Sequence, residues 1–265
     1  MSNEHVTGHD EIRSEAVRLG QLIVDEGLPI RVIGGMAVWL RCPSVREPPY
    51  ERDYADLDFV ASSRNRRAVA DFFEHAGYVP ERMFNAIHGR DRLNFAHPTG
   101  RWTVDVVFDE LRMSHKLDLR GRLTGPSPTV DLADLLLTKL QIWEINNKDL
   151  GDVVCVMADH PLRITQTPRR GAVLATDDPD AIDVRRITSL CASDWGLCHT
   201  VQRNLGRARD FAAQGRPAAA DVDPLKQIAT LLAAIDEAPK TLGWRSRARL
   251  GERVRWYETP EEVRH

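Results

Sequence analysis

Two neighbouring segments decide the fold: "RVIGGMAVWLR", Arg31–Arg41, and "DYADLDFV", Asp53–Val60. The first is apolar, then carries Gly34-Gly35, then is apolar again, which predicts a strand, a tight turn and a helix. The second alternates aspartate with apolar residues, which predicts a strand with one buried and one polar face. A glycine pair and a carboxylate pair therefore stand close together in segments that belong to the core.

The pair Gly34 and Gly35 has two interpretations. A strand–Gly–Gly–helix turn exposes unpaired backbone N–H groups at a helix N-terminus, where the helix dipole also favours phosphate. Alternatively, the pair makes a tight turn that only glycine permits. A dinucleotide site and a P-loop are both disfavoured, because neither GxGxxG nor GxxxxGK follows the strand.

Asp56 and Asp58 are two residues apart, so on a strand they point to the same side. Two adjacent like charges are unfavourable unless something neutralises them, and Mg²⁺ is a natural ligand for carboxylate oxygens. The alternative is a pair of solvated aspartates on an exposed sheet face.

A third carboxylate favours the metal interpretation. In "RWTVDVVFDE", Asp105 alternates with Val104 and Val106, which predicts another strand with one polar face. If this strand lies beside the first, Asp105 joins Asp56 and Asp58 on one surface. Three carboxylates can hold two Mg²⁺ ions roughly 3.5–4 Å apart, the arrangement used for phosphoryl and nucleotidyl displacement.

This order of motifs resembles the nucleotidyltransferase superfamily, and within it most closely the AbiEii-like toxins. The superfamily pattern is strand–Gly–Gly–helix, then Arg-x-x-x-Asp-x-Asp, then a strand with one Asp. Its positions in this sequence are Gly34, Gly35, Arg52, Asp56, Asp58 and Asp105. The AbiEii-like pattern adds a helical lysine and a Lys-Asp-x-x-Asp stretch, which here are Lys139, Lys148, Asp149 and Asp152. Many members have Gly-Ser after the strand, whereas this chain has Gly35.

The resemblance implies an enzyme that uses Mg²⁺ and a nucleoside triphosphate such as ATP. The Gly34-Gly35 turn would bind the β- and γ-phosphates, and Asp56 and Asp58 would bind Mg²⁺. Asp105 would complete a second metal site and take the proton of the attacking hydroxyl.

Further nucleotide contacts are also implied. Lys139 would neutralise phosphate charge, with a surface lysine as the alternative. Arg52 would contact phosphate or pair with an aspartate, or would be a plain surface arginine. Asp149 and Asp152 would orient Lys139 or Lys148, or would be surface charges.

The expected fold class is α+β: a nucleotidyltransferase fold, with a mixed sheet flanked by helices, followed by a helical C-terminal region. We predict a catalytic domain at residues 1–125 and a helical domain at residues 126–265. The predicted elements include a hairpin of strands 91–97 and 101–109, and continuous helices at 10–27, 130–146 and 181–214. The segment 161–180 reads as a loop.

Composition excludes some classes of protein. The net charge is −3, 42% of residues are hydrophobic, and no stretch approaches the roughly 20 apolar residues of a membrane span. The N-terminus is polar, and the four cysteines lack the spacing of a zinc site. We therefore expect a cytoplasmic protein with no membrane partner and with reduced thiols.

The acceptor of the nucleotide is left open by the sequence. The basic stretch "KTLGWRSRARLGERVRW", 240–256, places arginines between Trp244 and Trp256, which suits RNA through phosphate contacts and stacking; the alternative is a solvated basic helix. The AbiEii resemblance implies tRNA or another RNA as acceptor and a cognate antitoxin as partner. The alternatives are an aminoglycoside-type small-molecule acceptor and a non-catalytic nucleotide-binding protein.

Overall fold

The computed structural model describes residues 3–164, 179–215, 217 and 220–259. The chain forms two compact units. The first unit comprises Met1–Arg41, Arg52–Leu111 and Leu117–Val130, and the second comprises Cys42–Glu51, Arg112–Lys116 and Asp131–His265. The proline-containing segment Cys42–Glu51 therefore belongs to the second unit, although it follows the glycine turn in sequence.

A five-stranded mixed sheet forms the centre of the first unit, in the order β1-β2-β5-β4-β3. Its strands are β1 (Ile30–Ile33), β2 (Asp56–Ala61), β3 (Val79–Pro80), β4 (Arg92–Ala96) and β5 (Thr103–Phe108). The pair β2 and β5 is parallel, and the other neighbours are antiparallel. The predicted mixed sheet and the predicted β4–β5 hairpin are confirmed.

Helices flank this sheet. They are α1 (Asn3–Asp25), α2 (Gly34–Arg41), α3 (Arg66–His75) and α4 (Arg82–His88). Phe73 of α3 lies with its ring centroid 5.1 Å from that of Phe59 and 5.1 Å from that of Phe95. Phe59 and Phe95 alternate with polar residues along β2 and β4, so they lie on the face of the sheet opposite to the aspartates, and Phe73 packs on them from α3.

The second unit is mainly helical. Its helices are α5 (Leu132–Leu140), α6 (Asn147–Asp159), α7 (Val184–Ser193), α8 (Trp195–Gln214), α9 (Pro224–Glu237) and α10 (Leu242–Ala248). The chain also forms short strands: β6 (Glu110–Arg112), β7 (Lys116–Asp118), β8 (Leu162–Arg163) and β9 (Ile182–Asp183). The α+β class with a helical C-terminal region is as predicted.

Several predicted boundaries were wrong. The helix expected at 130–146 ends at Leu140, and the helix expected at 181–214 is two helices that are separated at Asp194. The side chain of Asp194 accepts a hydrogen bond from the backbone N–H of Leu197, so it caps α8 and starts a new helix there. The segment expected to be a loop contains β8, which pairs with β9 at the start of the segment expected to be helical. Residues 165–178 of the expected loop lie outside the described part of the chain.

Helix α4 was not predicted. The structure also places the start of α1 at Asn3, earlier than the expected residue 10. Within the described residues, no helix is both long enough and apolar enough to cross a membrane.

Candidate active site

The glycine turn joins β1 to α2. Gly34 has a φ of +70°, a conformation that favours glycine. A Cβ on Gly34 would lie 2.4 Å from Asp58 Oδ2, and a Cβ on Gly35 would lie 2.4 Å from Arg52 Nη2. The backbone of the turn therefore packs directly against a carboxylate and a guanidinium, and a side chain at either glycine would displace them.

The carboxylates share one face of the sheet. Asp56 and Asp58 alternate with the buried Leu57 along β2, and Asp58 lies opposite Asp105 in the parallel β2–β5 pair. Asp56 is exposed, whereas Asp58 and Asp105 are partly buried. We call the surface formed by Asp56, Asp58 and Asp105 the carboxylate face.

A fourth charged residue on this face was missed by the sequence analysis. Arg92 Nε donates a hydrogen bond of 2.6 Å to Asp105 Oδ1, and Arg92 Nη2 donates to Asp105 Oδ2. The hydrogen bonds to Asp105 raise the pKa of Arg92, burial opposes them, and the charges of Asp105 and Asp58 add to the increase. The predicted third metal ligand is thus held bidentately by an arginine.

The alternation of polar and apolar residues in β4 is the sequence signal that could have identified Arg92. In β4, Arg92 and Asn94 alternate with the buried Leu93 and Phe95, so they point to the polar side of the sheet. The register places Asn94 opposite Asp105 and puts Arg92 two residues along β4. The predicted hairpin of strands 91–97 and 101–109 already places Arg92 and Asp105 on neighbouring strands.

Asp56 and Asp58 have the donor chemistry that a hard divalent cation needs, namely carboxylate oxygens on one side of one strand. Gly34 leaves space for backbone beside Asp58. Among the described residues, no group of three or more His, Cys, Asp or Glu side chains is arranged to hold a metal ion. Asp56 and Asp58 are thus the residues of this face that could supply carboxylate oxygens to a cation, and their role as metal ligands stays a prediction.

Arg52 borders the glycine turn from another direction. Its guanidinium carbon lies 4.5 Å from the centroid of the Tyr54 ring, a cation–π distance. Arg52 is thus positioned between an aromatic ring and the backbone of Gly35. Arg52 is therefore half-buried and is not a plain surface arginine, and its contact with a bound phosphate stays a prediction.

Three residues of the second predicted set form an ion cluster within the second unit. Lys139 Nζ lies 2.6 Å from Asp149 Oδ1 and 2.9 Å from Asp152 Oδ2. The side chains are 10%, 15% and 1% exposed, respectively. We call Lys139, Asp149 and Asp152 the lysine cluster. Lys148 is exposed.

Within the lysine cluster, Asp149 and Asp152 neutralise the charge of Lys139. Burial lowers the pKa of Lys139, but the charges of Asp152 and Asp149 and their hydrogen bonds more than offset this, so the pKa is raised. Helix α6, which supplies both aspartates, is capped by Asn146, whose side chain accepts a hydrogen bond from the Asp149 N–H. The ammonium group therefore remains charged and is bound by its own helix pair.

The tryptophan that ends the basic tail packs within the second unit. The Trp256 ring lies edge-on to Trp143 at 4.8 Å and to Trp195 at 5.9 Å, between centroids. Tyr257 stacks on Trp143 at 5.0 Å. Trp256 is thus half-covered by other aromatic side chains of the same unit, and stacking of RNA bases on Trp244 and Trp256 stays a prediction.

The tail still presents a basic surface. Arg245, Arg249 and Arg253 are exposed and follow one another at intervals of four residues. By contrast, the guanidinium of Arg247 binds backbone, because it donates to the carbonyls of Gly251 and Val254 at 2.8 and 2.6 Å. The exposed arginines are the part of this segment that suits phosphate contacts.

Comparisons with known proteins give a distant fold likeness. No protein-family model matches the sequence. No curated protein matches it either. Among solved structures, LnuA, a lincosamide antibiotic adenylyltransferase crystallised with lincomycin, has a TM-score of 0.34 and 14% identity, over 50% of this chain and 88% of LnuA. JHP933 from Helicobacter pylori has a TM-score of 0.34 and 10% identity, over 94% of this chain and 97% of JHP933. At these TM-scores neither structure indicates a function for this chain.

Proposed function

We propose that this protein is a Mg²⁺-dependent nucleotidyltransferase that moves a nucleoside monophosphate from a nucleoside triphosphate to a hydroxyl acceptor. One observation carries the proposal: the glycine turn touches the carboxylate face, since a Cβ on Gly34 would lie 2.4 Å from Asp58 Oδ2. A phosphate at the N–H groups of this turn meets a carboxylate, and like charges repel. A divalent cation between them removes the repulsion, so the site suits a metal–triphosphate complex.

Each part of the site has a role in this reaction. The N–H groups at the start of α2 bind the β- and γ-phosphates, helped by the dipole of the helix. Asp56 and Asp58 would hold Mg²⁺, which would supply positive charge to offset the negative charge that develops on the transferred group. Arg52 contributes a further positive charge beside the turn.

Asp105 acts on the acceptor. Its carboxylate accepts a hydrogen bond from the attacking hydroxyl and takes the proton. The hydroxyl oxygen forms a bond to the α-phosphorus, and the bond from that phosphorus to the bridging oxygen of the β-phosphate breaks. Pyrophosphate leaves with the electron pair of the broken bond.

The lysine cluster contributes rigidity in this account. Its ammonium group is already bound by Asp149 and Asp152, so its first role is to fix α5 against α6. Neutralisation of phosphate by Lys139, and nucleotide contacts by Lys148, Asp149 and Asp152, stay predictions.

RNA is the acceptor that we propose, on the model of an AbiEii-like toxin that an antitoxin partner restrains. The exposed arginines Arg245, Arg249 and Arg253 support this acceptor, because they offer regularly spaced positive charge. A cationic small molecule of aminoglycoside type is the second candidate. The three aspartates of the carboxylate face, balanced only in part by Arg92, favour it.

To test the proposal, the full chain is incubated with Mg²⁺ and with each nucleoside triphosphate in turn, labelled at the α-phosphate. One series contains total bacterial RNA, and a parallel series contains a panel of aminoglycosides. Label in RNA supports the proposal, and label in an aminoglycoside supports the second candidate. The Asp56→Asn/Asp58→Asn variant should transfer none. Binding of nucleotide without transfer in either series would indicate a non-catalytic protein, and absence of both would overturn the proposal.

A further inference from the structure

We propose that the Arg92 guanidinium takes the place of a second metal ion at Asp105, so that the site binds one divalent cation, at Asp56 and Asp58. This inference rests on the proposed function and refines it. Asp105 then serves as hydrogen-bond acceptor and base and not as a metal ligand.

The geometry of the ion pair carries the inference. Arg92 Nε binds one oxygen of Asp105 at 2.6 Å, and Nη2 binds the other oxygen. A planar guanidinium matches a carboxylate in this bidentate form, which is among the strongest hydrogen-bonded ion pairs in proteins. Each oxygen of Asp105 therefore already accepts one charge-assisted hydrogen bond from Arg92, and each keeps a second lone pair that can accept the hydroxyl of the acceptor.

Arg92 is held in position from several sides. The carboxamide of Asn85 in α4 donates to the carbonyl of Asn94 at 3.0 Å and accepts from the N–H of Asn94 at 2.7 Å. These bonds fix β4 two residues from Arg92. The guanidinium carbon also lies 5.8 Å from the centroid of the Phe84 ring. The position of Arg92 is therefore fixed by neighbouring residues, although 38% of its side chain is exposed.

Charge leads to the same conclusion. A metal ion bound to Asp105 would lie a few ångströms from a guanidinium that is always protonated, and like charges at that distance repel. The guanidinium already supplies the positive charge that a second ion would bring. Because Asp58 lies opposite Asp105 in the sheet, this charge also acts close to the transferred phosphate.

The number of bound ions tests the inference directly. Mn²⁺ replaces Mg²⁺, and the α,β-methylene analogues of ATP, GTP, CTP and UTP are added in turn to the full chain. Two Mn²⁺ ions roughly 3.5–4 Å apart would be magnetically coupled, whereas a single ion gives an uncoupled electron paramagnetic resonance spectrum. We expect the wild type to give the uncoupled spectrum, with one protein-bound Mn²⁺ per chain in the nucleotide complex.

Variants make the test specific. Arg92→Met frees both oxygens of Asp105, so we expect a second Mn²⁺ and a coupled spectrum. Adding Asp105→Asn to that variant should return the spectrum to the uncoupled form. Arg90→Met removes an exposed arginine two residues away and should behave like the wild type.

The outcomes separate the two proposals. A coupled spectrum from the wild type would overturn the role of Arg92 and leave the proposed function standing. A wild type that binds no Mn²⁺–nucleotide complex would overturn both. If Arg92→Met did not fold, the wild-type spectrum alone would still decide the number of ions.

Discussion

Each of the two units contains an ion cluster of aspartates and one cation, in proportions of three to one and two to one. The carboxylate face has three aspartates and one guanidinium, and it includes an exposed aspartate, Asp56. The lysine cluster has one ammonium between two aspartates, and its side chains are at most 15% exposed. The carboxylate face therefore keeps an excess of negative charge that is partly exposed to solvent, whereas the ammonium group of the lysine cluster is bound within the cluster.

We infer from this difference that the carboxylate face is a binding site and that the lysine cluster is a structural element. A charge that is removed from water must be paired, and once paired it has little affinity left for a ligand. An exposed group of like charges gains free energy when a cation arrives. We therefore expect changes on the carboxylate face to alter binding and catalysis, and changes in the lysine cluster to alter stability.

The largest effect is expected from the aspartates that we assign to the metal. Asp56→Asn or Asp58→Asn should reduce nucleotidyl transfer by about 10³-fold, because metal stabilisation of the transition state is worth several kcal/mol. For Asp56→Asn the free energy of unfolding should stay the same or rise, since Asp56 is exposed and the change relieves repulsion with Asp58. Rates with the labelled triphosphate and chemical denaturation measure the two quantities.

Asp71→Asn is the matched control, because Asp71 is a surface aspartate of the same unit with 57% of its side chain exposed. It should leave both quantities unchanged. Equal losses of activity in Asp71→Asn and Asp58→Asn would contradict the assignment of the carboxylate face.

The next effect concerns the lysine cluster. Lys139→Met leaves Asp149 and Asp152 without their cation, and removing one partner of a buried pair costs about 3–5 kcal/mol. Lys148→Met, at an exposed lysine of α6, should change stability by less than about 0.5 kcal/mol. Denaturation followed by circular dichroism compares them, and similar midpoints for the two variants would refute the structural role of Lys139.

A smaller effect is expected at the glycine turn. Gly34 and Gly27 both have positive φ, +70° and +62°, so alanine at either should cost about 1–2 kcal/mol of stability. Only at Gly34 would the added Cβ meet Asp58, since the Gly27 Cβ would have nothing within 4 Å. Gly34→Ala alone should therefore weaken Mg²⁺–nucleotide binding, by about tenfold or more. If Gly34→Ala and Gly27→Ala bound the Mg²⁺–nucleotide complex with equal affinity in calorimetry, the glycine turn would not be part of the binding site.

The smallest effect is a pH dependence in the second unit. His115 is buried, and its Nε2 lies 2.8 Å from Thr200 Oγ1. Burial lowers the pKa of His115, although Asp194 and Glu258 oppose this. Because the unfolded chain then binds the proton more tightly, stability is complete above about pH 6.5 and falls as the pH drops through the lowered pKa.

The slope attributable to this group is below about 1.4 kcal/mol per pH unit. His115→Gln should flatten it, which denaturation curves at several pH values between about 5 and 7.5 would detect. An unchanged slope in the variant would assign the acid sensitivity to other groups.

Local patterns predicted much of the first unit. Alternation of Val104, Asp105 and Val106 indicated β5, and the turn after Ala96 indicated the hairpin, so the sheet neighbourhood of the aspartates followed from periods of two residues. The glycine pair was identified correctly as a turn. Its contact with Asp58 was not foreseen, because it depends on how β1 and β2 align.

Features that depend on distant residues were missed. Helix α5 ends at Leu140, where Asn204 of α8 donates hydrogen bonds of 2.9 and 2.7 Å to the carbonyls of Leu140 and Ile142. No residue pattern that we recognised within 130–146 predicts the end of the helix at Leu140. Helix α4 was overlooked because Met83 and Ile87 are 80% and 70% exposed, so its apolar residues do not mark a buried face.

The most direct test of the central claim does not need the acceptor. The affinity of the full chain for each nucleoside triphosphate is measured by calorimetry with and without Mg²⁺, in the wild type and in Asp58→Asn and Asp71→Asn. The account predicts binding of at least one triphosphate that requires Mg²⁺, survives Asp71→Asn and is lost in Asp58→Asn. Binding that is equally strong without Mg²⁺ or with Asp58→Asn would contradict it.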